Sequence, residues 1–152
     1  MIFKTRVVLN DTGFLIYIFV KKILMGLIYA DIKLSNPSNT NLDAVDAKAL
    51  VDTGALFCCI PPHIALQLNL QEFEKREVTI ADGSKQLVPY VGPLKINYLN
   101  RMCLTGALVL GNSVLLGAIP IEDMDLVIHP AQLKLTVNPE NPNIAGAVVM
   151  KI

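Results

Sequence analysis

The sequence predicts an all-β barrel or sandwich with one or two short helices. Three observations carry this. Apolar residues recur at every second position through most of the chain after Met25. Clusters of Asn, Pro, Gly and Ser separate those runs. Little of the chain reads as helix, and no repeat of solenoid type is present.

The first strand begins just after Met25. Ile28, Ala30, Ile32 and Leu34 face one way, and Tyr29, Asp31 and Lys33 the other. Residues 35–41 form a loop by composition. A second strand over residues 44–51 becomes fully apolar at Ala49-Leu50-Val51. Residues 60–68 read as a short helix, whose Pro61 and Pro62 suit a first turn where the missing N–H is not needed. Residues 77–81 are a strand. Asp82-Gly83 is a two-residue hairpin signal, because Gly accepts the positive φ such turns demand. The return arm runs over residues 86–90, with Pro89 marking an unpaired or edge position. Residues 94–99 and 103–110 are further strands, Val114-Leu115-Leu116 is an apolar run ending at Gly117, and residues 121–124 form one helical turn. Strands over 126–128 and 133–137 are joined by a turn at Pro130-Ala131, and the Asn- and Pro-rich tail ends apolar at Ala147 to Met150.

A chain of 152 residues is one domain, or one domain plus a short extension. Lys plus Arg and Asp plus Glu are 13 each, so the net charge is zero. That removes the electrostatic case for nucleic acid, which calls for a basic face to displace counterions. Hydrophobic residues make up 53%, enough for a substantial core and for apolar surface hidden against a partner. Three cysteines, two of them adjacent at Cys58 and Cys59, exclude a disulfide framework and read as reduced, buried thiols of a cytoplasmic protein. His63 and His129 lie far apart and no C-x-x-C occurs, so a zinc site is poorly supplied.

Residues 1–24 read as an extension or a misplaced start, with the natural domain opening near Met25. Lys21 and Lys22 interrupt the apolar stretch there. Each would cost roughly 2.5–3.5 kcal/mol at the centre of a membrane helix, so membrane association is not expected. A peripheral anchor formed by this segment is the alternative.

The informative segment is Ala49-Leu50-Val51-Asp52-Thr53-Gly54-Ala55. An apolar strand delivers a carboxylate into a tight turn, Thr adds a hydroxyl, and Gly lets backbone pass close to another group. Downstream, Leu115-Leu116-Gly117 again feeds an apolar strand into a glycine. With the hairpin at Asp82-Gly83 between them, these motifs resemble the retroviral-like (retropepsin-type) aspartic proteases, in their small single-lobed bacterial branch. The likeness covers about residues 26–139, giving a protease domain at 25–139 and a tail at 140–152.

The resemblance implies a closed β-barrel of the acid-protease type and a hydrolase without metal or cofactor. It implies a homodimer in which Asp52 of each subunit meets the other across a two-fold axis. Thr53 would hydrogen-bond across the dimer, Gly54 would permit close approach, and Ala55 would complete the catalytic loop. Ala there, where pepsin-like enzymes favour Thr or Ser, is associated in the single-lobed branch with activity nearer neutral pH. Asp82, Gly83 and Ser84, continuing to Gln86, would form the tip of a flap over an extended peptide or protein substrate.

Other residues read blandly. Asp11-Thr12-Gly13 repeats the motif, but 41 residues separate Asp11 from Asp52, too few for a second lobe. Asp123 and Asp125 read as solvated or capping carboxylates, His63 as exposed or capping, and His129 as a turn residue. A rival to the protease is a catalytically silent dimeric peptide-binding module of the same fold. A further rival is a membrane-associated processing enzyme anchored by residues 1–24.

Overall fold

The computed structural model describes residues 26–151. The expectations for residues 1–24, including Asp11-Thr12-Gly13 and the anchor, fall outside the described residues. The elements in order are β1 (Tyr29–Ser35), β2 (Val45–Val51), β3 (Cys58–Ile60), α1 (Pro62–Gln67), β4 (Gln71–Thr79), β5 (Lys85–Tyr98), β6 (Arg101–Val109), β7 (Leu115–Leu116), α2 (Ala118–Asp123), β8 (Leu126–His129), a 3-10 turn (Pro130–Gln132) and β9 (Lys134–Val137). No helix among the described residues is long and apolar enough to cross a membrane.

The barrel alternative holds. Six strands close in the order β1-β2-β7-β3-β6-β5, and β5 returns to β1 through the pairs Lys33–Asn97, Leu34–Ile96 and Ser35–Lys95. Period-2 alternation fills the interior. The expected inward residues of β1, from Ile28 to Leu34, are all buried, as are Val51, Leu94, Ile96 and Leu116. A second, smaller cluster of Cys59, Val88 and Leu108 lies on the other face of the sheet.

Several expected elements shift, each for a physical reason. β5 is one strand of 14 residues rather than two, bent by an irregularity in its pairing with β6 between Val91 and Leu94. Its first half pairs with β4 as a hairpin arm, and its second half pairs with β6 and β1 in the barrel. Pro89 sits where these regimes meet. It pairs with Lys75 of β4, whereas the pairing with β6 starts at Tyr90, in keeping with a residue that has no N–H to offer a second neighbour. β4 starts at Gln71, well before residue 77, because the arm is solvated and carries no apolar alternation. The hairpin turn is longer than two residues. Gly83 N–H donates to Ile80 O (2.8 Å) and Ile80 N–H to Ser84 O (2.9 Å), so Ala81, Asp82 and Gly83 form a three-residue loop with Gly83 at φ +86°. Residues 58–60 form β3, and the helix after it begins at Pro62.

The tail is fastened by Asp125, which does more than the solvated or capping role read from the sequence. Its carboxylate accepts from Asn138 Nδ2 (3.0 Å), Asn141 Nδ2 (2.8 Å) and Gly146 N–H (2.8 Å). Buried Arg101 donates from Nε to Met124 O (3.0 Å) and from Nη2 to Asn141 O. The Gly146 amide first, then Asn138 and Asn141, hold the Asp125 carboxyl below the ordinary carboxylate range. A depressed pKa stabilises above the unfolded value of about 3.9 and loses that contribution as pH falls through the folded value. Protection of the Gly146 amide, taken relative to its intrinsic exchange rate at each pH, is therefore expected at neutral pH and is lost only below about pH 4. The Asp125→Asn variant is expected to exchange fast at neutral pH as well. Fast exchange in the parent at pH 7 would contradict the clasp.

Candidate active site

β2 ends with Val51 buried in the barrel. Alternation then turns Leu50 and Asp52 to the opposite face. Leu50 pairs with Leu115 of β7, and Leu115 with Cys59 of β3. Leu115 and Cys59 belong to the smaller cluster, so Asp52 shares the face on which that cluster lies. Residues 52–57 are the loop joining β2 to β3.

β7 threads between the two strands that this loop connects, parallel to β2 and antiparallel to β3. Residues 114–119 fasten the loop along its length. Leu50 N–H donates to Val114 O (2.9 Å) and Asp52 N–H to Leu116 O (3.0 Å). Beyond β7, Ala118 N–H donates to Ala55 O (2.8 Å) and Ile119 N–H to Leu56 O (3.0 Å). Gly117 is required at this crossing, because a Cβ there would fall on the Phe57 carbonyl oxygen and lie 2.8 Å from that of Ala55.

Asp52 is only 8% exposed. Its Oδ1 accepts the Gly54 N–H at 2.8 Å, and its carbonyl accepts the Ala55 N–H at 3.2 Å, a tight Asx turn. Among the described residues Oδ2 takes no hydrogen bond from the protein. Within the loop the carboxylate is thus held through Oδ1. Thr53 and Gly54 are exposed at the tip of the loop, and Ala55 is half-buried.

The cysteines divide as the alternation requires. Cys58 faces the barrel core and Cys59 the other cluster. All three thiols are free and buried. Burial raises the pKa of Cys58 above the ordinary thiol range and, with help from Asp123, pushes Cys103 up to about 12. Burial and then the Asp52 charge also raise Cys59. These groups stay thiols at neutral pH and are poor nucleophiles.

Asp82, Gly83 and Ser84 sit exposed at the tip of the β4–β5 hairpin. Ser84 N–H donates to Asp82 Oδ1 at 2.8 Å, and hydrogen bonding from Ser84 lowers the Asp82 pKa. Among the described residues no hydrogen bond or ion pair joins this tip to the 52–55 loop. The structure groups the four loop residues together and sets the hairpin tip apart. What links them is the body of the hairpin below its tip, where Val78, Val88 and Tyr90 pack with Phe57 and Cys59.

Phe57, Arg76 and Tyr90 form the contact between loop and hairpin and were not singled out in the sequence. Nothing in spacing marks them, because their contact depends on the register of β4 with β5 and on the path of the 52–57 loop. Comparison with known proteins finds neither a matching family model nor a matching curated protein.

Proposed function

We propose that the chain is one subunit of a homodimeric aspartic endopeptidase of the retropepsin-like kind, with Asp52 as its catalytic carboxyl. The observation that carries this reading is Asp52 held through Oδ1 in a glycine turn, clamped by β7, on the face where the hairpin packs. One carboxylate cannot serve as both acid and base in the same step. A second Asp52, brought by another copy, supplies the missing role. Two carboxyls in contact cannot both ionise, so they share a proton and titrate as a pair. The ionised partner takes a proton from the attacking water, and the protonated partner donates to the scissile carbonyl oxygen.

Thr53 and Gly54, exposed at the loop tip, are the residues through which the copies meet. Ala55 closes the turn behind them. The substrate lies extended as an added strand between the loop and the hairpin, whose tip residues Asp82, Gly83 and Ser84 close over it and exclude water. No metal or cofactor enters the reaction. The three free, buried thiols suit a reducing compartment such as the cytoplasm.

The test pairs sedimentation velocity with turnover of an unfolded protein substrate across a dilution series. Turnover per chain is expected to track the dimer fraction and to vanish as the dimer dissociates. Turnover per chain that stays constant in a strictly monomeric sample would overturn the reading. A dimer with no turnover would favour the silent peptide-binding module.

A further inference from the structure

We infer that Arg76 is a positioning residue that pins the β4–β5 hairpin to the Asp52 loop by laying its guanidinium against one ring from each. On the hairpin, Arg76 of β4 pairs across from Val88 and Glu74 across from Tyr90, so their side chains share one face. That face meets the loop. The guanidinium carbon lies 3.7 Å from the centroid of the Tyr90 ring and 4.8 Å from that of Phe57. The two rings meet edge to face at 5.8 Å. Arg76 is oriented from behind, its Nε donating to Glu74 Oε1 at 2.6 Å. Tyr90 is seated in turn against Gly106, where any Cβ would collide with its ring.

The placement gives this contact its consequence. Phe57 closes the loop that carries Asp52, and its carbonyl oxygen abuts Gly117. Between residues 79 and 87 every side chain except Ile80 is exposed, so the hairpin is anchored below its tip. A planar cation lies against both rings at once and still hydrogen-bonds Glu74. A lysine ammonium is a point charge without that fork. The stack therefore sets how far the hairpin lifts from the loop. Its effect on catalysis rests on the protease reading, whereas the coupling itself does not.

The experiment compares parent, Arg76→Met, Arg76→Lys, Phe57→Leu and the Arg76→Met/Phe57→Leu double variant. Met keeps an unbranched stem but removes the cation. Amide exchange at Ile80 and Gly83 is expected to quicken about three- to tenfold in Arg76→Met, while β1 amides keep the parent rate. Arg76→Lys recovers part of the loss, and the double variant is no faster than the worse single one, because both changes break one contact. With an unfolded protein substrate, KM is expected to rise by a similar factor with kcat little changed, whereas mere loss of folded enzyme would lower kcat alone. Parent-like exchange at Ile80 and Gly83 in both Arg76→Met and Phe57→Leu overturns the inference. So do additive effects in the double variant. Exchange reads no catalysis, so a parent without turnover would sink the protease reading and leave the coupling decided.

Discussion

Asp52→Asn is expected to lose turnover of an unfolded protein by at least about a hundredfold while folding like the parent. The amide is nearly isosteric with the carboxyl, and its Oδ1 still accepts the Gly54 N–H that fixes the loop. In the proposed dimer, what it cannot do is exchange a proton with its counterpart. The thermal midpoint should therefore stay close to that of the parent, since no burial, cap or backbone contact is removed. Mixed dimers of parent and variant sharpen the test. If each active centre needs two carboxyls, adding excess variant should suppress the parent's activity rather than leave it unchanged. Equal turnover by the two homodimers would remove Asp52 from the chemistry.

Gly117→Ala has a different signature, loss of stability and loss of activity together. The new Cβ would fall on the Phe57 carbonyl oxygen, and backbone cannot yield as a flexible side chain can. Relief requires lifting the loop off β7, at the expense of the bonds from Ala118 N–H to Ala55 O and from Ile119 N–H to Leu56 O. Overpacking of this kind costs about 1–3 kcal/mol. A displacement of about 1 Å at reacting groups is enough for a hundredfold loss of rate. Denaturant melts and turnover measured together check this. A variant with the parent's stability and rate would show that the crossing of β7 and the loop is slack.

What the sequence revealed and what it hid divide along burial. β1 was legible because one face is in the core and the other in water, so Ile28, Ala30, Ile32 and Leu34 stand out. β3 is buried on both faces, so its three residues carry no alternation to mark a strand, and Ile60 falls within the helix expected over residues 60–68. The first half of β4 is the opposite case, exposed on both faces and equally without a period. The strands expected over 86–90 and 94–99 are one, and Gly92 and Pro93, residues that weaken a strand signal, lie at the bend within it. The Asp52 turn was readable because glycine, carboxylate and apolar lead-in are contiguous in the chain. Arg76, Phe57 and Tyr90 come together only through the fold, as do Asp125 and the Asn residues that hold the tail.

The shortest test of the proposed chemistry is a crystal structure of the protein, read for whether two copies assemble and for the separation of their Asp52 carboxyls. An O···O distance of about 2.5–3.0 Å across a two-fold axis, with a water bridging both groups, is the expected result. Subunits that pack with these carboxyls more than about 6 Å apart, beyond the range at which one controls the protonation of the other, would contradict a shared-proton mechanism.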